Sequence, residues 1–489
     1  MISKQQRDTY RVTIGIECHV QFNTKTKLFA GVDNDARGAT ANTLISHICM
    51  GLPGALPVLN EKAIEYAARA AFALKTVPQK VSKFDRKHYF YPDLPMGYQI
   101  TQLYEPIILN GEVTIIADGK KHRVGVARAH LEADAGKNTH PDNADYSLVD
   151  LNRAGTPLLE IVSEPELHSP AEARAYVEEL FLLMKYAQVS DCDLFQGNMR
   201  FDVNVSVSKT NKLGTRTETK NLNSFRSVEK AAEYEINRQI ELLEKGQKVD
   251  QETRGWNDAK QKTFSQRGKE EAHDYRYMPD PDLPPVELSE EYIKTAQASM
   301  PRMPDDWRVL LQKIGLTEGQ TNLLLHAEVA DEYSSYLPLL EEISANNDEA
   351  KHIANWFINI ELPLKGENRE TIELKDEARL VLYREMYKLV QADKLSSTNA
   401  KKLIHGLLQR SSLPVSLEKY AEEQGFLQVS DTKELKTIVT RVLADNQKAA
   451  DDLRGGEAKV MGFLVGQVMK ASLGKANPQL AQELIRQLL

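Results

Sequence analysis

Cysteine is scarce in this chain of 489 residues, where Cys18, Cys49 and Cys192 are the only three. They are too few and too scattered for a disulfide framework or a four-thiolate zinc site, and a reducing compartment is the simplest setting. No window approaches the roughly 20 apolar residues that span a bilayer. The opening MISKQQRDTYRVTIGIE holds no apolar core of signal-peptide length. Neither secretion nor membrane insertion is therefore expected, and the cytoplasm is the expected location. A GxxxxGK(S/T) loop and the kinase HRD and DFG sets are also missing, which excludes an ordinary P-loop or protein-kinase fold. Positive charge is not in excess either. With 62 basic and 70 acidic residues the formal charge is −8, which on its face speaks against a nucleic-acid partner.

The composition that is present, 41% apolar and 27% charged without long polar tracts, belongs to a folded protein rather than a disordered one. At roughly 150 residues per domain the length suggests about three domains. Charge is unevenly spread. Residues 1–100 carry 13 basic and 8 acidic side chains, residues 101–200 carry 9 and 16, residues 301–400 carry 11 and 18, and residues 401–489 carry 13 and 10. The negative balance is thus concentrated in two stretches, and the mildly positive tail is compatible with phosphate contacts or with ordinary solvated helix faces.

Patterning predicts an α+β protein: a mixed, largely antiparallel sheet domain followed by all-helical middle and tail domains, with boundaries at 1–295, 296–409 and 410–489. Residues 11–22 alternate, with Val12, Ile14, Ile16, Cys18 and Val20 on one face and Gly15, Glu17, His19 and Gln21 on the other. Phe201, Val203, Val205 and Val207 form a second alternating run that turns Asp202, Asn204 and Ser206 the opposite way. Asp118-Gly119 reads as the two-residue turn of a hairpin. Asn60, Ser169-Pro170 with Glu172, and Gly246 mark helix starts and a helix stop. The Pro-rich MPDPDLPPVEL, residues 278–288, reads as a boundary, and beyond it helical apolar spacing dominates, broken by connectors such as ELPLKGENRE and RGGEAK.

Three groups of residues could carry chemistry. Glu17 and His19 leave the same strand face about 7 Å apart along the chain, where a metal or phosphate-bound magnesium could be clasped; an ordinary half-exposed strand edge shows the same pattern. In RAHLEADAGK an extended backbone puts Arg128, His130, Glu132 and Asp134 on one face, a costly set to bury without a counter-ion. Glu160 stands between Leu158, Leu159, Ile161 and Val162, an uncommon place for a carboxylate. Three carboxylates and an imidazole suit magnesium or manganese holding nucleotide phosphates better than structural zinc. Phosphoryl transfer asks little more of a protein than positioning and charge neutralisation. Basic groups that could meet phosphate or carboxylate are Arg86, Lys87, Arg153, Arg216, Lys220 and Arg226.

These segments resemble, in order, the GatB family, the B subunits of aspartyl/glutamyl-tRNA amidotransferases. The resemblance rests on IGIECHVQ, GLPGALPVLN, KFDRKHYFYPDLPMGYQI, HLEADAGK, DLNRAGTPLLEIVSEPE, TETKNLNSFRSVEKA and HDYRYMPDPDLPPV. It implies a heterotrimer component that uses ATP and magnesium to phosphorylate the side-chain carboxyl of Glu or Asp on mischarged tRNA(Gln) or tRNA(Asn). Ammonia from the amidase-type glutaminase of the complex, its A subunit, braced by the small C subunit, then gives Gln-tRNA or Asn-tRNA. By the resemblance, Glu17, His19, Glu132 and Glu160 look like the magnesium site. Glu132, Lys87 and Glu160 look like catalytic groups, with Lys87 where the ammonia passage arrives. Asn152, Arg153, Lys220 and Asn221 look like phosphate or substrate contacts, and the tail like a YqeY-like tRNA-binding domain. Two departures stand out. Many relatives carry a zinc-binding cysteine cluster where this chain has Ala30, Val32, His47 and a lone Cys49, so zinc is not expected and packing must hold that segment. Met96 stands where relatives often have Lys. The alternative function is a catalytically silent tRNA-binding scaffold, against which the joint presence of Glu17, His19, Glu132 and Glu160 argues. A lone ATP-dependent ligase is a third reading, and the chain carries no amidase-like GGSS segment.

Overall fold

The computed structural model describes residues 2–141, 143–268, 272–330, 335–366, 372–428, 432–472 and 476–489. The fold is mixed α+β, and the chain divides into two compact units, Met1–Pro304 and Asp305–Leu489.

The first unit is built on strands β1 (Arg11–Gln21), β2 (Val81–Ser82), β3 (Asp85–His88), β4 (Tyr98–Thr101), β5 (Ile108–Ala117), β6 (Lys120–Ala133), β7 (Lys137–Thr139), β8 (Leu148–Asp150), β9 (Pro157–Ser163), β10 (Met199–Ser208), β11 (Thr217–Leu222), β12 (Glu252–Asn257), β13 (Lys262–Gly268), β14 (Met278–Pro279) and β15 (Val286–Glu287). Eight of them form one sheet in the order β13-β12-β11-β10-β1-β9-β6-β5. Its pairings are antiparallel apart from β11 with β12. The alternation of β1 and β10 works as expected, because successive strand residues face opposite ways. Ile14, Ile16, Cys18, Val20, Phe201, Val203 and Val205 are buried in one core. Helices α1 (Lys4–Arg7), α2 (Glu61–Ala73), α3 (Pro170–Tyr186), α4 (Phe225–Glu244) and α5 (Glu290–Ala298) complete the unit. Tyr176, Val177 and Leu180 of α3 and Val228, Ala231 and Ile236 of α4 share that core, so the apolar sheet face is covered and the opposite face carries the polar residues.

Local signals behave as read. Asn60 caps α2 by accepting from the Lys62 N–H, and Ser169 caps α3 with Pro170 in the first turn. Glu172 reaches the N–H of His168, one residue before the cap, at 2.6 Å, so the reciprocal half of the expected capping box is displaced by a residue. Asp118 and Gly119 take φ of 51° and 70°, the left-handed pair a tight hairpin between β5 and β6 demands. Gly246, at φ 72°, stops α4.

The Pro-rich stretch is more than a connector. Met278–Pro279 pairs with β3 and Val286–Glu287 with β2, and the buried Asp280 holds Arg86 at 2.9 Å. Prolines suit these two-residue edge strands, which need few backbone donors.

The second unit is helical throughout its described residues, with a separate small core in the tail made by Leu435, Val439, Val442, Leu464, Val468, Leu484 and Ile485. The expected ELPLKGENRE connector starts as helix instead: Phe357–Glu361 is a π-turn that continues into Leu362–Gly366, while residues 367–371 lie outside the described set. Pro363, which has no N–H to give, follows the π-turn inside this continuous helix.

Candidate active site

Antiparallel register decides which polar residues meet. His19 of β1 lies opposite Glu160 of β9, which lies opposite His130 of β6. Side chains directly opposite one another share a sheet face, so residues 19, 130 and 160 form one row and Glu132 begins the next. His19 Nε2 stands 3.5 Å from Glu132 Oε1 and 3.5 Å from Glu160 Oε2. His130 Nε2 stands 3.4 Å from Glu160 and 3.9 Å from Glu132. One ligand atom each from His19, Glu132 and Glu160 falls within a mutual 4.8 Å, the span of a metal's inner coordination shell. Burial disfavours the charged form of His19, but hydrogen bonds to Glu132 and Glu160 and their charges outweigh it and hold the imidazole well above its ordinary value. Burial likewise opposes ionisation of Glu160, yet His130 and His19 hold it well below the usual carboxylate range. The two carboxylates and the imidazole thus stand at a spacing that could hold a divalent ion.

Glu17 does not join that group. It lies opposite Asp202 of β10, and with Glu218 of β11 it forms a second cluster whose ligand atoms also fall within 4.8 Å. Burial first, then the charges of Glu160, Asp202 and Glu218, push the Glu17 carboxyl up to about 7 against the relief given by Lys220. Asn204 Nδ2 donates to Glu17 at 2.9 Å. Lys220 Nζ sits 3.2 Å from Asp202 and 3.3 Å from Glu218. Four sequence-derived candidates therefore divide between two adjoining acidic clusters, and Asp202 and Glu218 are the members that sequence reasoning missed. Asp202 was visible on the polar side of an alternating run; Glu218, two residues before Lys220 on the same strand face, offered a weaker signal.

The other candidates have defined surroundings. Asn152 is buried, receives the Leu44 N–H at 2.9 Å and donates to the Thr40 carbonyl at 2.7 Å, so its amide holds the 40–44 loop. Arg153 donates to the carbonyls of Ala135 and Gly136 and pairs with Asp134, which also meets Arg200. Asn221, exposed and at φ 59°, directs its backbone N–H onto Asp202 at 2.8 Å. Lys87 Nζ lies over the Tyr275 ring, 4.8 Å from its centre. Arg86 is neutralised by Asp280 and Asp282, and Arg216 and Arg226 are exposed.

The segment around Cys49 is held by more than packing. Lys27 is fully buried, and its Nζ donates to the Leu44 carbonyl at 2.7 Å, the Leu151 carbonyl at 3.4 Å and Cys49 Sγ at 3.5 Å. A buried ammonium needs such partners to offset its desolvation. Burial also lowers its pKa from the ordinary lysine value. Nothing in the spacing of Lys27 distinguished it from a surface lysine.

Among the described residues no helix is long and apolar enough to cross a membrane. Residues 12–294 match the family model described as the GatB/GatE catalytic domain, and residues 338–489 match the GatB domain. The chain is 42% identical over 485 residues to a protein of Carboxydothermus hydrogenoformans, covering 98% of both chains. It is 44% identical to a protein of Persephonella marina and 43% identical to one of a Thermoanaerobacter species, covering 98% of this chain and 99% of each relative. All three relatives are named as the B subunit of an aspartyl/glutamyl-tRNA(Asn/Gln) amidotransferase.

Proposed function

The chain belongs to the family of the GatB/GatE catalytic domain, and from that premise we propose that it is the B subunit of a tRNA-dependent amidotransferase. It uses ATP to phosphorylate the side-chain carboxyl of Glu or Asp esterified to tRNA(Gln) or tRNA(Asn). It then lets ammonia displace the phosphate, giving the amide, with ADP and inorganic phosphate as the other products. A carboxylate resists attack by ammonia because its oxygen is a poor leaving group, and transfer of the γ-phosphoryl group corrects that. Its partners in this reading are the amidase-type glutaminase (the A subunit), the small C subunit and the mischarged tRNA, in the cytoplasm.

The observation that carries the reading is the surplus of carboxylates on one sheet face. Glu17, Glu132, Glu160, Asp202 and Glu218 gather there within two clusters, and Lys220 is the one lysine paired with them among the described residues. Such an imbalance fits divalent cations with oxygen and single imidazole ligands. Magnesium at these positions, held by His19, Glu132 and Glu160 and by Glu17, Asp202 and Glu218, supplies neutralisation of phosphate charge. His130 orients Glu160 and Glu132, Asn204 orients Glu17, and Lys220 limits repulsion in the second cluster. Lys87 Nζ lies 5.8 Å from the centre of the Tyr89 ring, whose hydroxyl is raised by burial and by the charges of Glu132 and Asp134.

The test is an assay of the complex reconstituted with the glutaminase and the small bracing protein, supplied with glutamine, ATP, magnesium and each mischarged tRNA. Formation of Gln-tRNA or Asn-tRNA is expected with the wild-type chain. With Glu132→Ala turnover should fall about a hundred- to a thousandfold, the scale of losing charge stabilisation in the transition state, while tRNA binding persists. Normal turnover by that variant, or tRNA binding without any ATP-dependent amidation by the wild type, would overturn the proposal.

A further inference from the structure

Arg128 is a cation that the two carboxylate clusters leave unused. On β6 Val124 and Val126 lie in the core, and so do Ala129, Leu131 and Ala133, so the inward-facing set changes parity between residues 126 and 129. The cause is a bulge. Val126 pairs with Ser163 and Arg128 with Val162, which leaves Ala127 as an extra residue. A regular strand would have turned Arg128 into the core behind Val124 and Val126. The bulge re-aims it onto the polar face, where His130 and Glu132 follow at alternate positions. A second bulge, between Phe201 and Val203 of β10 and their partners on β11, stands on the other side of the carboxylates beside Lys220. Two irregularities of the sheet therefore deliver one long cation each to the same face.

The two cations keep different company. Lys220 is pinned to Asp202 at 3.2 Å and to Glu218 at 3.3 Å. Arg128 shares a row with Glu17 and Asp202 across Val162, and Glu160, on the diagonal from it, is within reach of a side chain of that length. Among the described residues its guanidinium nevertheless makes no ion pair or hydrogen bond, and its Nε is covered from solvent without an acceptor. Glu160 is already engaged by His19 at 3.5 Å and His130 at 3.4 Å. An arginine on an open surface keeps its Nε wet, and an arginine that fastens a fold has its carboxylate, as Arg86 has Asp280. A covered Nε with neither calls for an anion from outside the chain.

Charge selects the anion. With the histidines counted neutral, the five carboxylates Glu17, Glu132, Glu160, Asp202 and Glu218 less Lys220 leave a charge of −4. Two divalent ions would cancel that and no more, so the phosphate oxygens still lack a cation. We propose that Arg128 is a further catalytic residue, whose guanidinium meets the non-bridging oxygens of the γ-phosphoryl group as it passes from ATP to the substrate carboxyl. The inference rests on the function proposed above and deepens it. In that step a carboxylate oxygen forms the new bond to phosphorus, the bond from phosphorus to the bridging oxygen breaks, and its electron pair leaves on ADP. Arg128 moves no proton; its planar fork sets N–H groups against oxygens that carry charge throughout the transfer. The substrate carboxylate is the other anion of the reaction, but it loses its charge as the new bond forms, so a fixed cation held against it would oppose the step.

The test uses the assembled complex with Glu-tRNA and reads binding of ADP alone and of ADP with aluminium fluoride, which imitates the phosphoryl group in transit. Arg128→Ala should weaken the fluoride complex about a hundred- to a thousandfold, the scale of one lost transition-state contact, and leave ADP alone within about threefold. Single-turnover formation of ADP should fall by the same factor as the fluoride complex. Thermal unfolding of the free complex should not change, because no partner is lost, and Arg128→Lys should recover part of the binding through its charge without the fork. Equal weakening of ADP with and without fluoride, or a lowered unfolding midpoint, would reveal a structural role. Fluoride binding kept while preference for Glu-tRNA over Gln-tRNA is lost would assign Arg128 to the substrate carboxyl. Either result overturns the inference. A wild-type complex that forms no ADP with Glu-tRNA defeats the parent function, whereas an active wild type whose Arg128→Ala variant binds the fluoride complex equally well defeats this inference alone.

Discussion

Two groups of buried carboxylates, one in each unit of this protein, are treated in opposite ways. In the helical unit Glu361 is fully buried and fully answered: Arg379 donates to it at 2.8 Å and 3.4 Å, and the Tyr383 hydroxyl donates as well. Arg379 also meets Asp376 and Ser335, and these charges hold its guanidinium above its ordinary value against the opposing effect of burial. On the polar face of the sheet five carboxylates collect around one paired lysine and two histidines, and Glu17 is forced up to about 7. A buried charge by itself therefore says little about function. The sign and size of the local imbalance separate a fastening from a site, because unpaired like charges in a poorly solvated place persist only when something else will neutralise them.

The largest expected effect lies on the balanced side. Arg379→Ala leaves Glu361 buried without its cation and should cost about 3–5 kcal/mol, read by denaturant unfolding. A loss under about 1 kcal/mol would break the comparison by showing that this pair is not balanced. On the unbalanced side magnesium should act as the missing partner. At a hundredfold excess over its dissociation constant it should stabilise the first unit by about 2.7 kcal/mol per site, with chelator reversing the gain and Glu160→Gln reducing it. Unfolding that ignores magnesium would remove the reading of the carboxylate surplus as cation capacity.

The smallest effect sharpens the contrast within the helical unit. Burial, foremost, pushes the half-buried Glu328 up to about 7, although the backbone N–H groups of Leu337 and Tyr336 and the charge of Arg379 oppose the shift. Its folded pKa then exceeds the unfolded one, so the protonated form favours folding. Stability should be full below about pH 4.5 and should decline as pH rises through 7, by about 2 kcal/mol once residual exposure is allowed for. Glu328→Gln should flatten that decline, and a variant that keeps the wild-type pH profile would show that Glu328 is solvated and outside the comparison.

Much of the architecture was legible because it is local. Strand β1 announces itself by alternation, α2 and α3 by Asn60 and Ser169, the hairpin by Asp118-Gly119, and the helical unit by its spacing. The pairing of Met278–Pro279 with β3 was not legible, since prolines normally disqualify a strand and only the partner's position makes two residues of one worthwhile. Lys27 was invisible for a similar reason: a lysine's burial depends on carbonyls at Leu44 and Leu151, far along the chain. In the site, Glu17, His19, Glu132 and Glu160 could be named from residue type and strand face. Their division into two clusters could not, because nothing local says that Asp202 sits opposite Glu17 or that Glu160 sits opposite His19.

The sequence by itself determined the kind of protein: an α+β chain with a charged sheet face, helical C-terminal segments and the motifs of one family. These follow from periodicities of two and 3.6 residues and from turn chemistry, which act over a few neighbours. Tertiary structure alone decided which charges meet. It set Arg379 against Glu361, left Glu17 among Asp202 and Glu218, and packed Tyr275 edge-on against Tyr89 from segments nearly two hundred residues apart in the chain. Coulombic and stacking interactions depend on distance in space, and strand register and loop packing set that distance.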